Sequence, residues 1–159
     1  METSGAVLFA KNPFILPILN RLLEDKMIQR QYWAVTEGKF QTKKTVYKDR
    51  IGRDRHDRRK RVVDSRKGQS AYTTVTRLKT FEGASLVNCQ LKTGRTHQIR
   101  VHLAHHGHAI LGDPLYSHRT ASRLMLHAHT LSFTHPLTLE KITVKAQSDS
   151  FERELATNK

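Results

Sequence analysis

Leu91-Lys92-Thr93-Gly94-Arg95-Thr96-His97-Gln98-Ile99-Arg100-Val101-His102-Leu103 is the stretch on which the reading of this chain turns. It enters on the end of an alternating, β-branched run, breaks at Gly94, and continues in a helical rhythm. The spacing predicts a strand, a glycine turn and a helix over 96–106, with Thr96 as N-cap and Gly107 as the stop. Arg95, His97, Gln98 and Arg100 then cluster at the first turn of that helix. Free N–H groups at a helix start, with guanidinium groups beside them, suit a phosphate or another anion. Arg100 is poised to pair with a carboxylate, and Ile99 offers an apolar surface beside it. The plain alternative is an amphipathic helix whose polar residues face water, and composition alone does not choose between the two.

Outward from this stretch, residues 72–78 and 84–91 alternate and are joined by Thr80-Phe81-Glu82-Gly83, which predicts a hairpin. Residues 31–35 read as a strand ended by Glu37-Gly38. The apolar run 6–10, closed by Lys11-Asn12-Pro13, reads as a strand before a helix. Ile18, Leu19, Leu22, Leu23 and Met27 recur at helical spacing, and Pro17 places the helix start near itself. Residues 124–133 and 139–146 read as two more strands around His135-Pro136. Strands and helices follow one another without a βαβ rhythm, so the class is α+β, and no internal repeat is visible.

The chain of 159 residues is the size of one domain with its own core, so residues 1–159 are read as a single unit. Lys and Arg number 28 against 14 acids, a formal charge of +14 that predicts a polyanionic partner held through phosphates. Much of the excess lies in 43–67, which includes Arg58-Arg59-Lys60-Arg61 and reads as an exposed basic loop; a merely solvated surface segment is the alternative. Cys89 is the only cysteine, so an internal disulfide and a cysteine-rich zinc site are excluded. His102, His105 and His106 share helical spacing, but without cysteines or carboxylates seen beside them no metal is expected. No run spans a membrane and the N-terminus lacks signal-peptide character, so the reading is cytoplasmic, with no membrane partner.

Thr93-Gly94-Arg95-Thr96-His97-Gln98-Ile99-Arg100-Val101-His102 resembles the late signature of RluA/RluD-type (ribosomal large subunit) pseudouridine synthases. Gly107-His108-Ala109-Ile110-Leu111-Gly112-Asp113-Pro114-Leu115-Tyr116 is similar to the loop that follows it in that family. Leu124-Met125-Leu126-His127-Ala128 and Phe133-Thr134-His135-Pro136 match in order and spacing, Tyr32-Trp33-Ala34-Val35 resembles the family's tyrosine-bearing strand, and the basic segment from Ile51 to Val63 has the family's character. Six such matches in register cover nearly the whole chain.

The resemblance implies a mixed, mainly antiparallel sheet with flanking helices and loops. It implies an isomerase in which an aspartate attacks uridine, the glycosidic bond breaks, and the uracil is reattached through carbon 5. Tyr32 would pack against the flipped base, although simple core packing is its alternative. Arg100 would pair with the catalytic aspartate and Ile99 would line the base pocket. Arg95, His97 and Gln98 would support the site or touch RNA, and Arg58, Arg59, Lys60 and Arg61 would contact RNA. Asp113 is read as fixing a turn before Pro114. No cofactor or metal is implied; the RNA is ribosomal foremost, with transfer RNA as the alternative. The family's nucleophile lies in His-Arg-Leu-Asp followed by two residues and Thr-Ser-Gly, and Met1-Glu2-Thr3-Ser4-Gly5 fits the segment just after it. The chain is therefore expected to be an N-terminally truncated, inactive fragment with an open sheet edge that invites self-association. The competing readings are a non-catalytic basic RNA-binding module and, remotely, a histidine-metal hydrolase.

Overall fold

Alternation becomes a sheet only where each strand finds a neighbour, and here fewer than half of the pairings join strands that follow one another in the chain. In the computed structural model, which describes residues 3–157, the order is β1 (Ser4–Gly5), α1 (Leu16–Glu24), β2 (Gln29–Glu37), β3 (Lys44–Tyr47), β4 (Ile51–Arg53), β5 (Arg61–Val63), β6 (Thr73–Phe81), β7 (Ala84–Leu91), α2 (Gln98–His105), β8 (Leu126–Thr134), β9 (Lys141–Lys145) and α3 (Asp149–Thr157). Seven strands make one sheet in the order β1-β8-β2-β7-β6-β3, with β9 also on β8, while β4 and β5 form a separate hairpin. Every pairing is antiparallel except β1 with β8, so the α+β, mainly antiparallel expectation holds.

The β6–β7 hairpin closes through Glu82-Gly83, where Gly83 takes φ +67. Ala34, Val35, Val75, Val87 and Cys89 from the central strands are buried together with Ile99 and Leu103 of α2, Ile110, Met125 and Phe151 of α3. Burial pushes the Cys89 thiol up to about 12, so it acts as a small apolar residue. A second cluster, Leu19, Ile28, Leu131 and Phe133, lies under α1. Pro17 stands at the start of α1, where a missing N–H costs nothing.

Four expectations change. Residues 6–10 alternate in burial as a strand would, but after Ala6 donates to the Ala128 carbonyl (2.9 Å) no ladder continues, so the paired strand is Ser4–Gly5. Met27 falls outside α1 and is exposed. Segment 43–67, read as one basic loop, holds three short strands, because β3 finds β6 as a partner and β4 finds β5; its charge hides that pairing. Thr96 does not cap α2; His97 takes that position, for reasons given below. Helix α3, which had no counterpart in the sequence reading, seats Phe151 in the core. No helix among the described residues is long and apolar enough to cross a membrane.

Candidate functional site

After β7 the chain must turn sharply into α2, and the turn is held from within. Gly94 lies beneath Arg30, where an added Cβ would come 3.0 Å from a guanidinium nitrogen. Gln98 reaches back over the turn: its Oε1 accepts from the Thr93 hydroxyl (2.8 Å) and the Arg95 N–H (3.0 Å), and its Nε2 donates to the Tyr72 carbonyl and Thr73 Oγ1 (both 3.0 Å). These bonds use the full capacity of the amide, which is 2% exposed, so Gln98 shapes the site from below. The Arg95 N–H lies ahead of the helix, so this bond closes the turn, and no side chain caps α2. His97, at φ 57, then flanks the helix without capping it.

His97 is fixed by Tyr116. The Tyr116 hydroxyl accepts from the Arg61 N–H (2.8 Å) and shares a hydrogen bond with His97 Nδ1 (3.0 Å). Burial first, then the Arg100 and Arg61 charges, hold His97 below its ordinary value, in keeping with a neutral ring. Burial raises the Tyr116 phenol.

Arg100 finds its partner thirteen residues on. Its Nε and Nη2 donate to the two oxygens of Asp113 (2.7 and 2.6 Å), a bidentate pair in which the Asp113 side chain is wholly buried. Asp113 Oδ1 also accepts from the Leu115 and Tyr116 N–H groups (2.9 and 3.2 Å), so it does fix the turn at Pro114. Gly112 delivers it there at φ +70, with the Arg123 carbonyl oxygen only 2.0 Å from where a Cβ would sit. Tyr116 closes over Arg100, ring centre 5.1 Å from the guanidinium carbon.

These elements enclose a cleft of about 610 Å³. Tyr32, Leu91, Ile99, Leu124 and Leu126 supply its apolar walls; Arg95, Thr96, His97, Gln98 and Arg100 supply its polar side, with Pro114 and Leu115 at the rim. A register shift between Gln31 and Tyr32 in the β2–β8 pairing sits where Tyr32 meets the cleft, as bulges beside functional sites commonly do. No carboxylate among the described residues lines the cleft.

Of the residues singled out from sequence, Tyr32, Arg95, His97, Gln98, Ile99 and Arg100 converge here. Arg58, Arg59 and Lys60 do not line it; they lie at the β4–β5 tip, where Arg59 pairs with Asp57 (3.0 Å). Arg61 reaches an adjoining cavity. Sequence reasoning missed Tyr116, Arg30 and the pairing role of Asp113, because a partner across a loop leaves no periodic signal. Asp49, His105 and His106 bring potential metal-ligating atoms within 4.8 Å of one another, a grouping in which Asp49 was not foreseen. His106 there already meets Asp49 at 2.8 Å and stacks on Tyr47.

A family model described as RNA pseudouridylate synthase matches residues 1–105. The chain is 46% identical over 150 residues to "Uncharacterized RNA pseudouridine synthase YhcT" of Bacillus subtilis, covering 91% of this chain and 49% of that protein. It is 36% identical over 168 residues to "Ribosomal large subunit pseudouridine synthase D" of Neisseria meningitidis serogroup A, covering 91% and 42%. The solved structure "Human RNA Pseudouridylate Synthase Domain Containing 4" matches with a TM-score of 0.75 at 25% identity, covering 91% of this chain and 67% of that one. The chain spans about half the length of the curated relatives it matches.

Proposed function

The chain belongs to the RNA pseudouridylate synthase family, and from that premise we propose that it forms the base-receiving part of an enzyme isomerising uridine to pseudouridine in structured RNA. Ribosomal RNA is the foremost substrate, after the relative named for the large subunit, with transfer RNA second. The observation that supports this best is the cleft itself, where an aromatic ring and aliphatic walls face an arginine held flat by a buried carboxylate. A uridine that leaves its stack loses a few kcal/mol. Tyr32 and Ile99 offset that loss by giving the base new faces to contact. Arg100 supplies positive charge for the attacking carboxylate, Arg95 and His97 stand at the mouth, and the basic segment draws RNA in.

Because no carboxylate among the described residues lines the cleft, the nucleophilic aspartate is proposed to lie in a His-Arg-Leu-Asp segment ahead of Thr3. Attack by that aspartate breaks the glycosidic bond; the uracil rotates and joins the ribose through carbon 5 as the carboxylate is released, the C5 proton passes to water and N1 takes one up. The same lack of a carboxylate favours a second reading, a non-catalytic basic RNA-binding module. A cytoplasmic setting and self-association through the outer edge of β3 also belong to the proposal.

Tritium release from RNA carrying 5-tritiated uridine separates the readings. The protein extended by the His-Arg-Leu-Asp segment is expected to release tritium, lose that release on Tyr32→Ala, and bind RNA without release when the extension is omitted. RNA binding with no release from the extended protein would leave only the second reading. No saturable RNA binding in either form would sink both.

A further inference from the structure

The β4–β5 hairpin places two arginines directly opposite one another, Arg53 paired in register with Arg61. Like charges across a ladder destabilise it, so this pairing calls for an anion. Those two side chains, with Lys67 and Arg95, line a cavity of about 320 Å³ whose remaining wall includes Gln69 and Thr96 and no carboxylate. Arg95 is aimed by its Nε–H donating to the Ser70 carbonyl (3.1 Å), and Arg61 is steadied by Nη1 donating to the carbonyls of Lys60 (2.9 Å) and Arg58 (3.3 Å). Asp64, whose charge acts on Lys67, has Oδ1 occupied by the N–H groups of Arg66 and Lys67 (both 3.0 Å). Arg95 and Thr96 belong to this cavity and to the base cleft alike, so one begins where the other ends.

We propose that this cavity receives one internal phosphodiester of the bound RNA, within two nucleotides of the one in the cleft. The inference rests on the RNA reading above and adds a register to it. Guanidinium forks match a pair of phosphate oxygens and Lys67 adds a point charge. A phosphate seated there fixes which nucleotide reaches Tyr32, because backbone contacts set position while carrying no sequence information.

The test uses the full 159-residue chain and a stem-loop with one loop uridine, each flanking phosphate replaced in turn by an uncharged methylphosphonate. One replacement near the uridine is expected to weaken binding about tenfold, the scale of losing hydrogen bonds to a charged group, while the others leave it nearly unchanged. In Arg53→Gln/Lys67→Gln that penalty disappears, and the slope of log affinity against log salt shrinks by about 0.7 to 0.9. Arg53→Lys, which keeps the charge, retains most of the penalty. Both residues are exposed, and a urea midpoint that does not fall confirms the fold. A penalty spread evenly over all phosphates, or one persisting in the double variant, overturns the subsite while leaving RNA binding intact. Inorganic phosphate that binds the cavity yet leaves both RNA affinity and the methylphosphonate penalty unchanged at constant ionic strength would assign the cavity to a free anion and overturn it too. Failure of the unaltered chain to bind RNA would instead remove the functional reading on which the subsite rests.

Discussion

The cleft and the cavity beside the basic hairpin share Arg95 and Thr96, yet the cleft's floor and the hairpin are built by opposite means. The floor is the buried layer behind the cleft wall, which His102 joins by meeting the same Thr73 Oγ1 as Gln98. There Gln98, His102 and Asp113 are 2%, 0% and 1% exposed, and their polar atoms are engaged within the protein. In the hairpin, Arg53, Arg58 and Arg59 are exposed, and the strands bury little beyond Ile51 and part of Val63. Buried and satisfied polar groups fix a shape before any ligand arrives. Exposed cations set against each other store repulsion that a polyanion relieves. The two regions should therefore answer differently to mutation, to pH and to salt.

The largest effect is expected at Asp113. Asp113→Ala leaves Arg100 without its bidentate partner in a site where only 13% of that side chain is exposed. Breaking a buried pair from one side costs about 3–5 kcal/mol. Urea unfolding should show a loss of that order, and a loss near zero would mean that the floor is not held by this pair. Gln98→Leu comes next. It removes the acceptor of the Thr93 hydroxyl proton and of the Arg95 N–H, while the Tyr72 carbonyl keeps the Lys92 N–H, and about 1–3 kcal/mol is expected for the donors left unsatisfied. If the variant matched the native midpoint, the turn would be held by something other than this amide.

The same contrast explains what could be read from the sequence. The β6–β7 hairpin and α2 are legible because alternation and helical spacing are local, and Gly83 and Gly107 sit where positive φ is needed. The convergence of Tyr32 with Arg95, Ile99 and Arg100 became legible through the resemblance of the whole pattern to a family, not through any single residue. His97 in place of Thr96 as the flanking residue was illegible, because its backbone angle depends on Gln98 taking the Arg95 N–H and on Tyr116 holding the ring. The Arg100–Asp113 pair was illegible because nothing in the spacing ties the two together. The strands inside 43–67 were hidden by charge, since Arg53 and Arg61 are poor advertisements for pairing.

The third expectation concerns pH. Burial holds His102 below its ordinary value near 6.5, and burial together with Arg100 and Arg61 does the same to His97. Between the folded and unfolded values the unfolded chain binds more protons, so this stability is complete above about pH 6.5 and is lost as pH falls through the folded values. In the hairpin the shifted groups are carboxylates: the Arg59 guanidinium lowers Asp57, and backbone N–H groups lower Asp54 and Asp64 below 3.8. Their contribution is present above that value and goes only in stronger acid. The urea midpoint should thus fall between about pH 7.5 and 5.5 through these two histidines and through His129 on β8, which burial and the neighbouring His127 also hold low, and not through the hairpin; His102→Gln should remove part of the fall. A midpoint that stayed level or rose over that range would contradict the assignment.

The smallest effect on stability, and the sharpest on binding, belongs to the hairpin tip. Arg58→Gln/Arg59→Gln removes two exposed cations; the only ion pair lost among the described residues is Arg59 with Asp57, and the Arg59 side chain is 77% exposed. Screening by water leaves such a pair little to contribute, so no measurable shift of the urea midpoint is expected. The same variant should bind RNA more weakly at low salt, uniformly across sequences, because on the proposed function these residues, which lie outside the cleft, would meet only the backbone. Its affinity should converge on that of the native chain as salt rises, since screening removes what the mutation removed. Tyr32→Ala should do the reverse, weakening uridine-containing loops at every salt concentration, because contact between a ring and a base does not depend on counterions. If the tip variant instead lost affinity equally at all salt concentrations, the tip would be reading shape or bases, and the division between a preformed floor and an electrostatic rim would not hold.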